Sequence, residues 1–136
     1  MPTPYLEQVR KKDQQVNPLF LSHGIEVESI AVDRAVLRLE VTSGLIQGGG
    51  VVAGGIVASL LDGAMAHAVL GGNKQGEVAS TIDMNVCFYH PVLNGECITC
   101  EGWVDKRGSR IVFAGAVALV EGREVAKATA SFMIVH

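Results

Sequence analysis

Over residues 34–42 apolar and polar positions interleave (Val36, Leu37, Arg38, Leu39, Glu40, Val41), and residues 23–31 form a second extended run before them. Together they read as the arms of a hairpin that turns at Val32-Asp33. Four more extended segments are predicted at about 77–89, 96–106, 110–120 and 123–134. Turn chemistry separates them: Pro91 with Asn94-Gly95, then Arg107-Gly108-Ser109, then Glu121-Gly122. Between hairpin and strands the pattern changes. After Gly48-Gly49-Gly50 the chain is apolar almost throughout residues 51–70, which predicts one long helix, placed at 54–71. Tyr5, Leu6 and Val9 mixed with Glu7, Arg10, Lys11 and Lys12 predict a short amphipathic helix within residues 1–16. One long helix among about six mostly antiparallel strands makes an α+β domain, spanning residues 1–136, whose sheet buries one face by curling around that helix.

The long helix contains one carboxylate, Asp62. A helix apolar around most of its circumference must be wrapped by protein or lipid, and an ionisable group there is disfavoured in its charged form unless something pairs with it. Packing alone would favour Leu or Ala at this position. The run is long enough to raise the question of a membrane span, but Ser59, Asp62 and His67 together with three glycines argue against one. Asp62 alone would cost roughly 2.5–3.5 kcal/mol at a bilayer centre. Burial inside a sheet is the better account, and no membrane partner is expected.

Composition narrows the classes further. A chain of 136 residues, 49% hydrophobic and 18% charged, fits a single soluble domain with a substantial core. A net charge of -3 offers no broad basic footprint, which excludes nucleic acid as the expected partner. The N-terminal residues lack the apolar core of a signal peptide, and three cysteines read as free thiols, so the expected compartment is the cytoplasm.

Several motifs imitate sites without supplying their context. Gly48-x-Gly50-x-x-Ala53 meets a loose dinucleotide fingerprint but lacks the parallel βαβ unit that the fingerprint needs. Neither a P-loop nor a Gly-x-Ser-x-Gly elbow is present. Cys97-x-x-Cys100, with Cys87-x-x-His90 upstream, has zinc-like spacing, yet side chains three apart on a strand point to opposite faces. No metal site and no separate cofactor are expected. Asp62 and His67, five apart on a helix, diverge by about 140° and do not make an acid–base pair, whereas Ser59 shares the face of Asp62.

Gly54-Gly55-Ile56-Val57-Ala58-Ser59-Leu60-Leu61-Asp62-Gly63-Ala64, then Ser80-Thr81-Ile82-Asp83-Met84-Asn85-Val86 and Tyr89-His90-Pro91, resembles the hot-dog-fold acyl-CoA thioesterases of the PaaI, phenylacetate-degradation type. The similarity continues through Gly95, residues 106–110 and residues 125–129, and so covers about residues 17–134. It implies a curled antiparallel sheet around a central helix, a homodimer joined edge to edge, a dimer of dimers, and active sites built from both chains of a dimer. The activity implied is hydrolysis of a medium-chain or aryl acyl-CoA to free acid and CoA, with coenzyme A entering as part of the substrate.

By motif position, the resemblance makes Asp62 the helix carboxylate that attacks or activates water, and Gly54 the donor whose backbone N–H polarises the thioester carbonyl. A helix N-terminus suits a developing oxyanion, and glycine admits close approach. Thr81, with Ser80 as a second candidate, and Gln47, in place of an Asn common in relatives, would hold the water or the carbonyl. Gly55, His90, Lys106, Arg107 and Arg110 are the substrate-binding candidates, the basic residues facing CoA phosphates. Ala53 departs from a His-Gly-Gly sequence common in relatives, which keeps non-catalytic acyl-CoA binding as an alternative reading. A hot-dog hydratase is a further alternative, but its Asp-x-Asn-Pro-x-His segment is absent.

Overall fold

The computed structural model describes residues 4–136, and positions 1–3 of the predicted N-terminal helix lie outside the described residues. Helix α1 (Pro4–Val9) and helix α2 (Pro18–His23) precede strands β1 (Ile25–Ala31) and β2 (Arg34–Glu40). A 3-10 turn at Ser43–Leu45 leads to the long helix α3 (Gly54–Gly72), followed by β3 (Val78–Phe88), β4 (Cys97–Arg107), β5 (Ile111–Val120) and β6 (Arg123–Val135). All neighbours are antiparallel in one sheet ordered β1-β2-β4-β5-β6-β3, so the edges are β1 and β3. This is the expected hot-dog architecture, with the helix lying in the curl of the sheet.

The short N-terminal helix expected within residues 1–16 is α1, and a second short helix that was not expected, α2, follows it. Helix α1 ends at Val9, and in the link that follows it Gln14 turns its side chain onto the backbone: its Oε1 accepts from the N–H groups of Val16 and Asn17 at 2.9 and 2.8 Å. Asn17 precedes Pro18 and is extended, as residues before proline prefer. It then caps α2, its Oδ1 accepting from Phe20 N–H at 3.1 Å, and Gly24 in the left-handed region (φ 76°) ends that helix. Strand β1 therefore begins at Ile25, two residues later than the expected run.

Leu37 and Leu39 of β2, Ile98 of β4, Val112 of β5 and Phe132 of β6 point into the curl and are fully buried against Leu60, Leu61 and Met65 of α3. Helix and sheet touch backbone to backbone at Gly102, where a Cβ would lie 2.5 Å from the Ala64 carbonyl oxygen. The helix is the one element among the described residues long and apolar enough to cross a membrane, and it is the core of the domain. It is not covered all round. Ser59, Asp62, Ala66 and Leu70, spaced to share one face, are only half-buried. That stripe borders edge strand β3.

Strand β3 carries a bulge at Ile82. Thr81 pairs with Phe132 and Asp83 with Ser131, two positions on one strand against one on the other. Without the bulge Thr81 and Asp83 would share a face. With it, Thr81 turns toward α3 while Asp83 turns outward and accepts a hydrogen bond from the Ser131 hydroxyl.

Candidate active site

Asp62 is held by the element beside it. The Thr81 hydroxyl donates to Asp62 Oδ1 at 2.8 Å, joining the open stripe of α3 to the inner face of β3. Among the described residues nothing hydrogen-bonds Oδ2. Ser59, one turn earlier, spends its hydroxyl on the Gly55 carbonyl at 2.9 Å. Ser80 pairs opposite Met133 on the outer face of the sheet, so the structure separates it from Thr81 and from Asp62. Its expected role beside Thr81 is corrected on that ground: adjacent strand residues face opposite ways.

The second group of candidates collects at the start of α3. A cleft of about 300 Å³ is lined by Gln47, Gly54, Phe88, Tyr89, His90 and Pro91, among others. Gly54 is the first helical residue, and Ala53 at the cap offers no side-chain acceptor, so the opening N–H groups of α3 are unclaimed by a cap. Gly55 is exposed beside it. The Gln47 amide oxygen accepts from Gly49 N–H at 2.8 Å, which leaves its NH₂ as the donating end. Phe88 and Tyr89 were not anticipated in the cleft, although the aromatic pair directly before His90-Pro91 was a signal for it.

Gly54 and Asp62 stand eight positions apart on one rigid helix, about 12 Å along its axis. Within one chain, the donor end and the carboxylate do not meet.

The basic cluster divides. Lys106 and Arg110 are exposed around the β4–β5 turn. The guanidinium of Arg107 instead turns inward. It donates to Asp33 Oδ1 at 3.2 and 2.7 Å, to Asn73 Oδ1 at 2.7 Å and to the Val69 carbonyl at 2.8 Å. This corrects its expected role toward phosphate: its donors clamp the C-terminal end of α3 to the β1–β2 turn, where a cation also complements the helix dipole. Along α3, Val69 lies about 22 Å from Gly54, so the cluster is remote from the cleft of its own chain.

His67 faces the core, away from Asp62. Its Nδ1 donates to the Gly63 carbonyl at 2.7 Å, and its Nε2 accepts from the Tyr5 hydroxyl at 2.8 Å, whose oxygen accepts in turn from Asn17 Nδ2 at 2.9 Å. The chain of donors is complete only with a neutral imidazole. Burial pushes the His67 pKa down, with the Gly63 bond and the Asp62 charge opposing. Cys100 is buried in the core, where its thiol pKa is pushed up, while Cys97 is half-buried and Cys87 exposed.

The family model of the thioesterase superfamily matches residues 49–127, more than half of the chain, and spans both Gly54 and Asp62. The chain belongs to the thioesterase superfamily. Its chemistry is the hydrolysis of a thioester, on a hot-dog fold of the PaaI type. Among solved structures, the E. coli PaaI protein of the phenylacetic acid degradation operon superposes with a TM-score of 0.83 at 21% identity, over 88% of this chain and 86% of that one. A thioesterase family protein from Silicibacter pomeroyi gives a TM-score of 0.82 at 26% identity, over 88% and 90%. A hypothetical thioesterase from Streptococcus pneumoniae, solved with coenzyme A, gives 0.76 at 20% identity, over 82% and 88%. No curated protein gives a significant match.

Proposed function

We propose that this member of the superfamily hydrolyses a medium-chain or aryl acyl-CoA to the free acid and CoA, with Asp62 as the reacting carboxylate. The observation that carries this reading is the Thr81 hydroxyl on Asp62 Oδ1, which fixes the carboxylate and leaves Oδ2 open to a water. In the step proposed, Oδ2 takes a proton from water as its oxygen attacks the thioester carbon. The carbonyl oxygen becomes an oxyanion held by the N–H groups at the start of α3, the C–S bond breaks, and the departing thiolate takes the proton. Direct attack by Asp62 would instead pass through an anhydride; oxygen-18 from labelled water would then appear in the Asp62 carboxylate.

Because donors and carboxylate stand about 12 Å apart on one helix, the reading requires two chains. Strand β3 is an edge with Val78, Ile82 and Phe88 exposed along it. Two copies paired along β3 about a two-fold axis would set the Phe88 end of one strand against the Thr81 end of the other. The Gln47–Gly54 cleft of one protomer would then meet Asp62 of its partner, and the edge would be covered. Trp103, Phe113 and Met133 on the outer face of the sheet support a further contact between two such dimers. Three unpaired thiols suit a cytoplasmic location. The pneumococcal relative solved with coenzyme A supports a CoA thioester as substrate, with Lys106 and Arg110 as the cations available to its phosphates.

A second reading, acyl-CoA binding without turnover, is favoured by Ala53, which brings no side-chain donor to the start of α3. Thiol release from a panel of acyl-CoA and acyl-carrier-protein thioesters decides between them. Release from CoA thioesters is expected; tight binding with no release would select the second reading.

A further inference from the structure

We propose that the apolar slot between α1 and the start of β3 receives the acyl group, and that it fits a straight chain of medium length. This deepens the reading of Asp62 as the reacting carboxylate and rests on it. The slot, about 530 Å³, is walled by Pro4, Tyr5 and Leu6 of α1, Leu70 of α3, and Val78 and Ala79 at the start of β3.

Its position relative to Asp62 is set by two elements at once. Leu70 ends the stripe that begins at Ser59 and Asp62, with only the small Ala66 between. Ala79 pairs with Ile134 and shares the inner face of β3 with Thr81, two residues on. A chain whose carbonyl carbon sits at Asp62 therefore has an apolar track of about 12 Å, past Ala66, to Leu70. The cleft at Gln47–His90 adds polar groups to a largely apolar lining, the Gln47 amide and the backbone N–H groups that open α3, and these fit the carbonyl of the thioester.

The outer wall is held in place. Tyr5 lines the slot while its hydroxyl bridges His67 Nε2 and Asn17 Nδ2, so α1 is anchored by one hydrogen bond to the core helix and one to the cap of α2. The Gln75–Glu77 turn also lines the slot. A wall fixed in this way keeps the apolar track in place, so that each methylene of a straight chain laid along it finds an apolar contact.

The test has two arms. In the first, kcat/KM is measured for octanoyl-CoA and acetyl-CoA with the wild type, Ala79→Leu and Leu70→Trp, folding being checked by circular dichroism. Each substitution is expected to lower the octanoyl-to-acetyl ratio about tenfold or more, since methylenes lose their pocket. An unchanged ratio, or an equal loss on both substrates, would overturn the proposal. In the second arm the wild type alone is titrated with S-alkyl-CoA thioethers of increasing length, which need no turnover and no variant. Affinity rising with chain length up to octyl is expected, and affinity independent of length would overturn it. Length-dependent binding without hydrolysis of any thioester would keep the slot and refute the hydrolase reading, whereas hydrolysis without length dependence would do the reverse.

Discussion

The Thr81 hydroxyl donates to Asp62 Oδ1 at 2.8 Å across the gap between the central helix and edge strand β3. The contact depends on the bulge at Ile82, which turns Thr81 inward while Asp83 faces out. A slip of one residue in that strand would remove it.

Thr81→Ala is expected to lower kcat about tenfold, the worth of one hydrogen bond to a charged group, with little change in KM. Thr81→Ser, which keeps the hydroxyl, is expected to restore most of the rate. Steady-state kinetics on the three proteins checks this, and equal losses for Ala and Ser would contradict it.

Mixed dimers test the two-chain site. Asp62→Asn and Gly54→Val, each expected to be inactive alone, leave one complete site when one protomer carries each substitution. Mixing or co-expressing the two is expected to recover activity, measured as thiol release against each parent. A site contained within one chain would recover none.

The clamp at the far end of α3 is structural. Arg107→Ala is expected to lower folding stability by about 2 kcal/mol, as a part-exposed cation loses several charge-assisted hydrogen bonds. Arg107→Lys is expected to recover little, because one ammonium cannot span Asp33, Asn73 and the Val69 carbonyl. Urea midpoints measure both. A loss of CoA affinity with the urea midpoint unchanged would argue instead for a phosphate contact.

The Tyr5–His67–Gly63 chain carries a pH dependence. The unfolded imidazole titrates near 6.5 and burial lowers its pKa in the folded protein, so between the two values the unfolded state binds more protons. The stability that the neutral ring contributes is complete above pH 6.5 and is lost as pH falls through the folded value. His67→Gln is therefore expected to trail the wild type most at neutral pH, the gap closing in acid. Urea unfolding of both proteins from pH 8 to pH 5 follows it; a constant gap would contradict the assignment.

The strands were legible because their apolar positions and turn residues repeat locally: each of the four later strands begins and ends within a residue or so of its expected bounds. Helix α3 was legible for the same reason, and Asp62 stood out within it. What depends on distant partners was not. Arg107 read as a free turn cation because its partner Asp33 is 74 residues away. Helix α2 is a different case: its signals, the Asn17 cap, Pro18 and Gly24, are local, but its six residues are too few to show an apolar period. Asp62 was expected to be wrapped by its own sheet; it lies on the stripe that the sheet leaves open, a fact fixed by the packing of β3 rather than by the helix sequence.

The most direct measurement is thiol release from octanoyl-CoA by the wild type and Asp62→Asn, side by side, with circular dichroism on both. The amide keeps the shape and the Thr81 contact but cannot take a proton from water. A folded Asp62→Asn protein with turnover reduced by about 10²–10⁴ is the result expected. Turnover equal to the wild type would contradict the role given to Asp62.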